Sequence, residues 1–307
     1  MPRVGLPVVI AAVAAICCAR LVAQQSSATP QMPTFRGRVE TVQVAVTVTD
    51  RTGRIITGLG RDDFQVFEDG LEQTVTQFSD QRVPVSLGVL LDASDSMRGR
   101  AIVDARQAVE RFVVDLLMPI DEAFVATFNH QPRLAAPWTR PPSALRNTLA
   151  DVLPSGGTAM YDALAETSRL FERRAHVRAA MVVISDGADT ASDRTLHQAL
   201  EAVRRSDSLV YAVAIDDPEG RLSTRVNPEA LREMTGLGGG YTEVVRSAAE
   251  LGPATERIAE ELNKQYTIGY DNPRRADGSW RAIRVRVRNR DLFTRARRGY
   301  FAEALRP

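Results

Sequence analysis

Between residues 41 and 49 the chain alternates, with Val42, Val44, Val46 and Val48 on one side and Thr41, Gln43, Thr47 and Thr49 on or near the other. Successive side chains of a strand point to opposite faces, so this pattern predicts a half-buried strand with a turn at residues 50–53. A short strand at residues 64–67 meets the acidic turn Glu68-Asp69-Gly70 and returns through residues 73–78, a hairpin pattern. Residues 36–82 therefore read as a small N-terminal β unit.

The rhythm then changes. Apolar strands are predicted at residues 85–91, 123–128, 179–184, 209–215 and 241–245. Helical periodicity falls between them, at residues 101–117, around 144–153, and at 161–174, 195–206, 228–234 and 248–264. Strands apolar enough to be covered on both faces, alternating with helices, predict an α/β fold over residues 83–264: a Rossmann-like, doubly wound, mostly parallel sheet. Strand patterns return at residues 266–270, 280–288 and 292–297, ending at Tyr300 and Phe301. Neither flank has enough strands to be stable alone, so residues 265–307 are expected to pair with residues 36–82 in a small β-sandwich from which the α/β domain projects. Arg284, Arg286, Arg288 and Arg290 share one parity and Ile283, Val285 and Val287 the other. Such an arginine-faced strand is expected to be the solvated face of an antiparallel sheet, ahead of a surface for anionic glycans.

Residues 1–23 place Arg3 before an apolar run at residues 4–19 and end on the small Ala23, the layout of a secretory signal peptide cleaved after Ala23. The run is shorter than the ~20 residues of a membrane-spanning helix, so removal is expected rather than retention as an anchor. Residues 24–35 are rich in Gln, Ser, Thr and Pro and read as a flexible leader. Cys17 and Cys18, the two cysteines of the chain, lie in the signal segment, so the mature protein is expected to have no disulfide and no thiolate ligand. Neither is preceded by the small residue that lipoprotein signals carry. The 39 basic and 38 acidic residues leave a formal charge of +1, which becomes −1 when Arg3 and Arg20 depart with the signal. No global field draws such a chain to nucleic acid. The expected location is secreted or periplasmic, without nucleic-acid partners or stable membrane insertion; the oligomeric state stays open.

In open α/β sheets, ligands bind beyond the carboxyl ends of the strands. The first strand of the α/β domain ends in Asp92-Ala93-Ser94-Asp95-Ser96, a D-x-S-x-S pattern that offers one carboxylate and two hydroxyls. The loop at residues 154–158 adds the Thr158 hydroxyl, and its two glycines allow close backbone approach. The strand at residues 179–184 ends in Ser185-Asp186-Gly187, which brings Asp186 to the same edge. Such oxygens suit a hard divalent cation. Magnesium, which accepts few protein oxygens and keeps several waters, is the expected ion, with manganese and calcium as alternatives.

This set resembles the metal-ion-dependent adhesion site (MIDAS) of von Willebrand factor type A (VWA) domains, with every signature position filled, over about residues 84–264. The resemblance implies that Ser94, Ser96 and Thr158 coordinate the cation directly or through water, while Asp92 and Asp186 bind mainly through water and hold the hydroxyls. It also implies a protein ligand whose acidic side chain fills the open coordination position. Asp95 stands where the commonest motif has glycine and is expected to face solvent. The flanks, at residues 46–50, 58–70, 266–270 and 297–301, resemble the secreted VWA-related family abundant in acidobacteria.

The implied function is exported, metal-dependent protein binding, as an adhesion or scaffold protein; an envelope-complex assembly subunit and a metal-assisted hydrolase are the alternatives. No catalytic residue is expected. His130, His176 and His197 lie in no motif that makes a base or ligand, and no G-x-S-x-G turn surrounds Ser94 or Ser96. The glycine-rich stretch at residues 236–240 reads as a plain loop, because it does not follow the first strand as a phosphate-binding turn does.

Overall fold

The computed structural model describes residues 40–186, 188–216, 228–272 and 277–302. The expected signal segment, its cleavage point, both cysteines and the leader lie outside the described residues. Strands β1 (Glu40–Thr49), β2 (Phe64–Glu68), β3 (Leu71–Gln73) and β4 (Val75–Ser79) come first. The α/β unit runs β5 (Val85–Asp92), α1 (Arg100–Arg111), β6 (Glu122–Phe128), β7 (Pro132–Thr139), α2 (Met160–Ser168) and β8 (Arg178–Ser185). It continues through α3 (Leu196–Ser206), β9 (Leu209–Ile215), α4 (Pro228–Gly238), β10 (Thr242–Val245) and α5 (Leu251–Asn263). Strands β11 (Tyr266–Asn272), β12 (Trp280–Val287), β13 (Phe293–Arg295) and β14 (Gly299–Phe301) follow. Among the described residues no helix is long and apolar enough to cross a membrane.

The central sheet has the order β10-β9-β8-β5-β6-β7 and is parallel except for β7. Strands β5, β6, β8 and β9 are buried along their whole length, because helices cover both faces. Helices α1 and α5 supply one core, with Ile102, Val109 and Ile258 against Leu87 and Val182. Helices α2, α3 and α4 supply the other, with Leu164, Leu200 and Leu231 against Leu90 and Val183. This is the doubly wound α/β fold expected, and antiparallel sheets flank it.

Those flanking sheets have the orders β13-β1-β11-β4 and β14-β12-β2-β3. Val42, Val44, Val46 and Val48 are all buried, as the alternation of β1 requires, and β1 pairs antiparallel with β11, Val44 facing Ile268. Val66 of β2 faces Val285 of β12, and both sheets contribute to a single apolar core. The polar side of β1 is not all solvated. Thr47 is 1% exposed, and its hydroxyl donates to Glu261 Oε1 of α5 at 2.9 Å. Glu261, itself buried, also accepts the Tyr211 hydroxyl at 3.1 Å and pairs with Arg295 of β13. Gln265 Nε2 donates to both Thr47 and Tyr211, closing a polar knot between α5, the central sheet and the sandwich.

Several local expectations are corrected. The return strand expected at residues 73–78 divides: β3 stays beside β2, whereas β4 crosses to the other sheet and pairs with β11. Alternation tells which side chains face inward but not which sheet a strand joins. Around residues 144–153 the expected helix is replaced by a 3-10 turn at Pro142–Leu145 and irregular turns, with Asn147 at φ 63°. Pro141 and Pro142 deny that stretch two backbone donors. Strand β7 lies outside the expected strands, disguised by Pro132 and Pro137; prolines are tolerated there because it is the sheet's edge. The helices expected at residues 101–117 and 161–174 stop at Arg111 and Ser168, continuing as a π turn (Phe112–Leu116) and a 3-10 turn (Arg169–Arg173).

Residues 236–238 continue α4 instead of forming a loop, and Gly239 then leaves it at φ 80°. A Cβ on Gly239 would sit 2.3 Å from the Ala296 carbonyl carbon. Gly239→Ala is therefore expected to cost about 2 kcal/mol, combining left-handed strain with that contact. Thermal unfolding checks this; an unchanged midpoint would mean the turn yields freely.

Candidate functional site

Strands β5 and β8 are parallel neighbours in register, with Leu91 beside Ile184. The residues that follow, Asp92 and Ser185, therefore leave the sheet side by side, and Ser185 Oγ donates to Asp92 Oδ2 at 2.5 Å. Asp92 is fully buried and accepts the Ser94 backbone N–H through Oδ1 at 2.8 Å. Burial pushes the Asp92 carboxyl up to about 7; the nearby charge of Asp186 adds to this, and the hydrogen bonds from Ser185 and Ser94 oppose it.

Ser94 is buried and Ser96 exposed, and their hydroxyls lie 2.9 Å apart. Ser96 Oγ then donates to Asp186 Oδ1 at 2.7 Å. Asp92, Ser94, Ser96 and Asp186 thus form one connected set at the carboxyl edge of the sheet. Asp95 is exposed, and Arg98 engages its carboxylate with Nε at 2.8 Å.

Thr158 arrives from a different loop and makes no hydrogen bond to these four side chains. Its loop is nevertheless tied to the serine turn, by Ser155 N–H to Ala93 O and Asp95 N–H to Gly156 O, both at 2.9 Å. Gly156 sits at φ 75°, and a Cβ there would meet His130 Nδ1 at 2.9 Å. Thr158 is 4% exposed and fixed on both sides of its peptide, its N–H donating to Thr190 Oγ1 and its carbonyl accepting from Thr190 and Ala191.

Three supporting residues escape sequence reasoning. Asn129 Nδ2 donates to Ser155 Oγ, and its carbonyl accepts the Ala159 N–H, which pins the glycine loop to the end of β6. Asp162 accepts the backbone N–H groups of Asp193 and Arg194, and Asp189 accepts those of Tyr161 and Ser192. These bonds hold residues 189–194 against the start of α2. The one available signal was the three aspartates, one threonine and one serine at residues 186–193, since short polar side chains satisfy loop backbone.

Among the described residues no cluster of three or more His, Cys, Asp or Glu side chains is placed to hold a metal. The set described above is different in kind, two carboxylates among three hydroxyls. Its oxygens are hard donors, and a buried carboxylate whose charge is further opposed by a second carboxylate nearby is an electrostatic environment that a divalent ion relieves.

Residues 87–188 match the family model of the von Willebrand factor type A domain, a span that includes all five candidate residues. Among curated proteins none matches this sequence. A von Willebrand factor type A structure from Catenulispora acidiphila is similar, with 16% identity, a TM-score of 0.52, and coverage of 74% of this chain and 51% of that one. So is proximal thread matrix protein 1 from the mussel byssus, solved with a zinc-occupied MIDAS motif, at 16% identity and a TM-score of 0.51, covering 64% of this chain and 50% of that one. The chain thus spans about half the length of each. Fold and family match agree that the α/β unit of this chain has a von Willebrand factor type A-like fold, with the family model matching its residues 87–188.

Proposed function

We propose that this chain is an exported protein that binds a protein ligand through a divalent cation held at Asp92, Ser94, Ser96, Thr158 and Asp186, and that it does so without catalysing a reaction. The observation that carries this reading is the hydrogen-bonded run from Asp92 through Ser94 and Ser96 to Asp186, ending a buried parallel strand with its carboxyl pushed up to about 7. Ser94, Ser96 and Thr158 would meet the ion directly or through water, and the two aspartates would orient those hydroxyls. A bound cation would supply an open coordination position for an acidic side chain of the ligand; magnesium suits this small oxygen set best. The zinc-occupied motif of the mussel protein is in keeping with that assignment. Export rests on the signal-like residues 1–23, and membership of the secreted family abundant in acidobacteria rests on the flanking segments.

Calorimetric titration of the metal-free protein with magnesium, manganese and calcium tests the site. Saturable binding of one ion per chain is expected in the wild type, and at least a hundredfold weaker binding in Asp186→Ala, since loss of a metal-site partner typically costs 10–100-fold and this one orients Ser96 as well. Normal affinity in the variant would remove Asp186 from the site and the proposal with it.

A further inference from the structure

A cavity of about 950 Å³ opens between the end of α4, the outer face of β12 and residues 294–298. It lies towards the amino-terminal start of β9, where Gly238 and Gly240 pack on the backbone of Val210. Val210 pairs with Met181 in β8, five residues before Asp186. At ~3.3 Å per strand residue, the cavity is therefore roughly 17 Å along the sheet from the candidate metal centre.

Its chemistry is one-sided. Arg284 and Arg286 of β12 line it, as the arginine-faced strand predicts, but Arg204 of α3 and Arg298 also reach it from other elements. None of these four forms an ion pair among the described residues, and no Asp or Glu is among the described residues lining the cavity. Two more wall arginines, Arg295 and Arg297, are already neutralised by Glu261 and Asp207. The Nε atoms of Arg204, Arg295 and Arg297 are buried without an acceptor among the described residues. The Arg204 guanidinium lies over Trp280 at 5.8 Å and that of Arg286 over Phe67 at 5.5 Å, so aromatic faces hold two of the cations in place.

A solvated outer face explains Arg284 and Arg286 alone. It does not explain why guanidinium groups from three parts of the chain converge on one concavity whose described lining holds no carboxylate, where an anion would relieve their mutual repulsion. We propose that this cavity binds an oligoanionic ligand, one carrying two or more carboxylate or phosphate groups, through Arg204, Arg284, Arg286 and Arg298. Planar guanidinium forks bind either group in a bidentate manner.

The test is calorimetric titration of the full chain in chelator, so that no cation at Asp92 and Asp186 takes part, with tripolyphosphate, trigalacturonate and neutral maltotriose. One-to-one binding of at least one anion is expected, weakening as salt is raised, with none for maltotriose. The double variant Arg284→Gln, Arg298→Gln, whose positions are both exposed, is expected to bind at least tenfold more weakly with an unchanged thermal midpoint. Binding of tripolyphosphate alone would identify a phosphate ligand, and binding of trigalacturonate alone an acidic sugar. Neither anion binding at millimolar concentration, or equal affinity in the double variant, would overturn the assignment.

Discussion

In the metal-free protein, the thermal midpoint of Asp92→Asn is expected to gain on that of the wild type as pH rises from 4 to 7. The Asp92 carboxyl is buried and its folded value stands at about 7, against an ordinary 3.8. Between those two values the unfolded chain releases a proton that the folded chain keeps, so the wild type loses stability with rising pH across this window and is level above it. A shift of roughly three units corresponds to an order of 4 kcal/mol at ~1.4 kcal/mol per unit. Asparagine keeps an oxygen for the Ser94 N–H and carries no charge to bury. Asp50, held down at about 2 by Thr52 and Arg54, gives the opposite slope below pH 4, but it is common to both proteins and cancels in the comparison. Adding the divalent cation is expected to restore the wild type and leave the variant unmoved, because only the ionised carboxylate gains from it. A difference between the two proteins that is the same at pH 4 and pH 8 would show that Asp92 carries no buried charge.

Glu261→Ala is the second large effect. The variant leaves Thr47, Tyr211 and Arg295 without their shared acceptor in the knot between α5, β9 and the sandwich. Breaking a buried, hydrogen-bonded ion pair from one side costs about 3–5 kcal/mol, here nearer the lower figure because the Arg295 side chain is one-third exposed. At ~2–4 °C per kcal/mol for a chain of this size, the midpoint should fall by about 10 °C. Glu261→Gln keeps an oxygen for Thr47 and Tyr211 and should fall by less than half as much. A loss below 1 kcal/mol in the alanine variant would mean that water takes over the three partners.

The parts of this structure that were legible in the sequence are those where periodicity and burial coincide. The alternating valines of β1 mark its inward face, and the unbroken apolar runs of β5, β8 and β9 announce strands covered on both sides. What stayed hidden depends on partners distant in the chain. Nothing local to residues 75–79 shows that β4 pairs with β11, and nothing in Thr47 foretells a buried acceptor on α5. At the candidate site the spacing of Asp92, Ser94 and Ser96 and the residues Thr158 and Asp186 were readable as a motif. The Ser185 hydroxyl on Asp92, and the clasp of Asn129 on the glycine loop, follow only from how β5, β6 and β8 lie together.

The pairing of β1 with β11 also imposes an order in time. Glu40 lies opposite Asn272, more than two hundred residues later in synthesis. Every strand of the central sheet lies between Val85 and Val245, so all of its pairings are available before β11 exists. A chain emerging from its amino end can therefore complete the inserted unit while β1 still presents an unpaired edge and the uncovered apolar face of Val42, Val44, Val46 and Val48, both adhesive until β11 arrives.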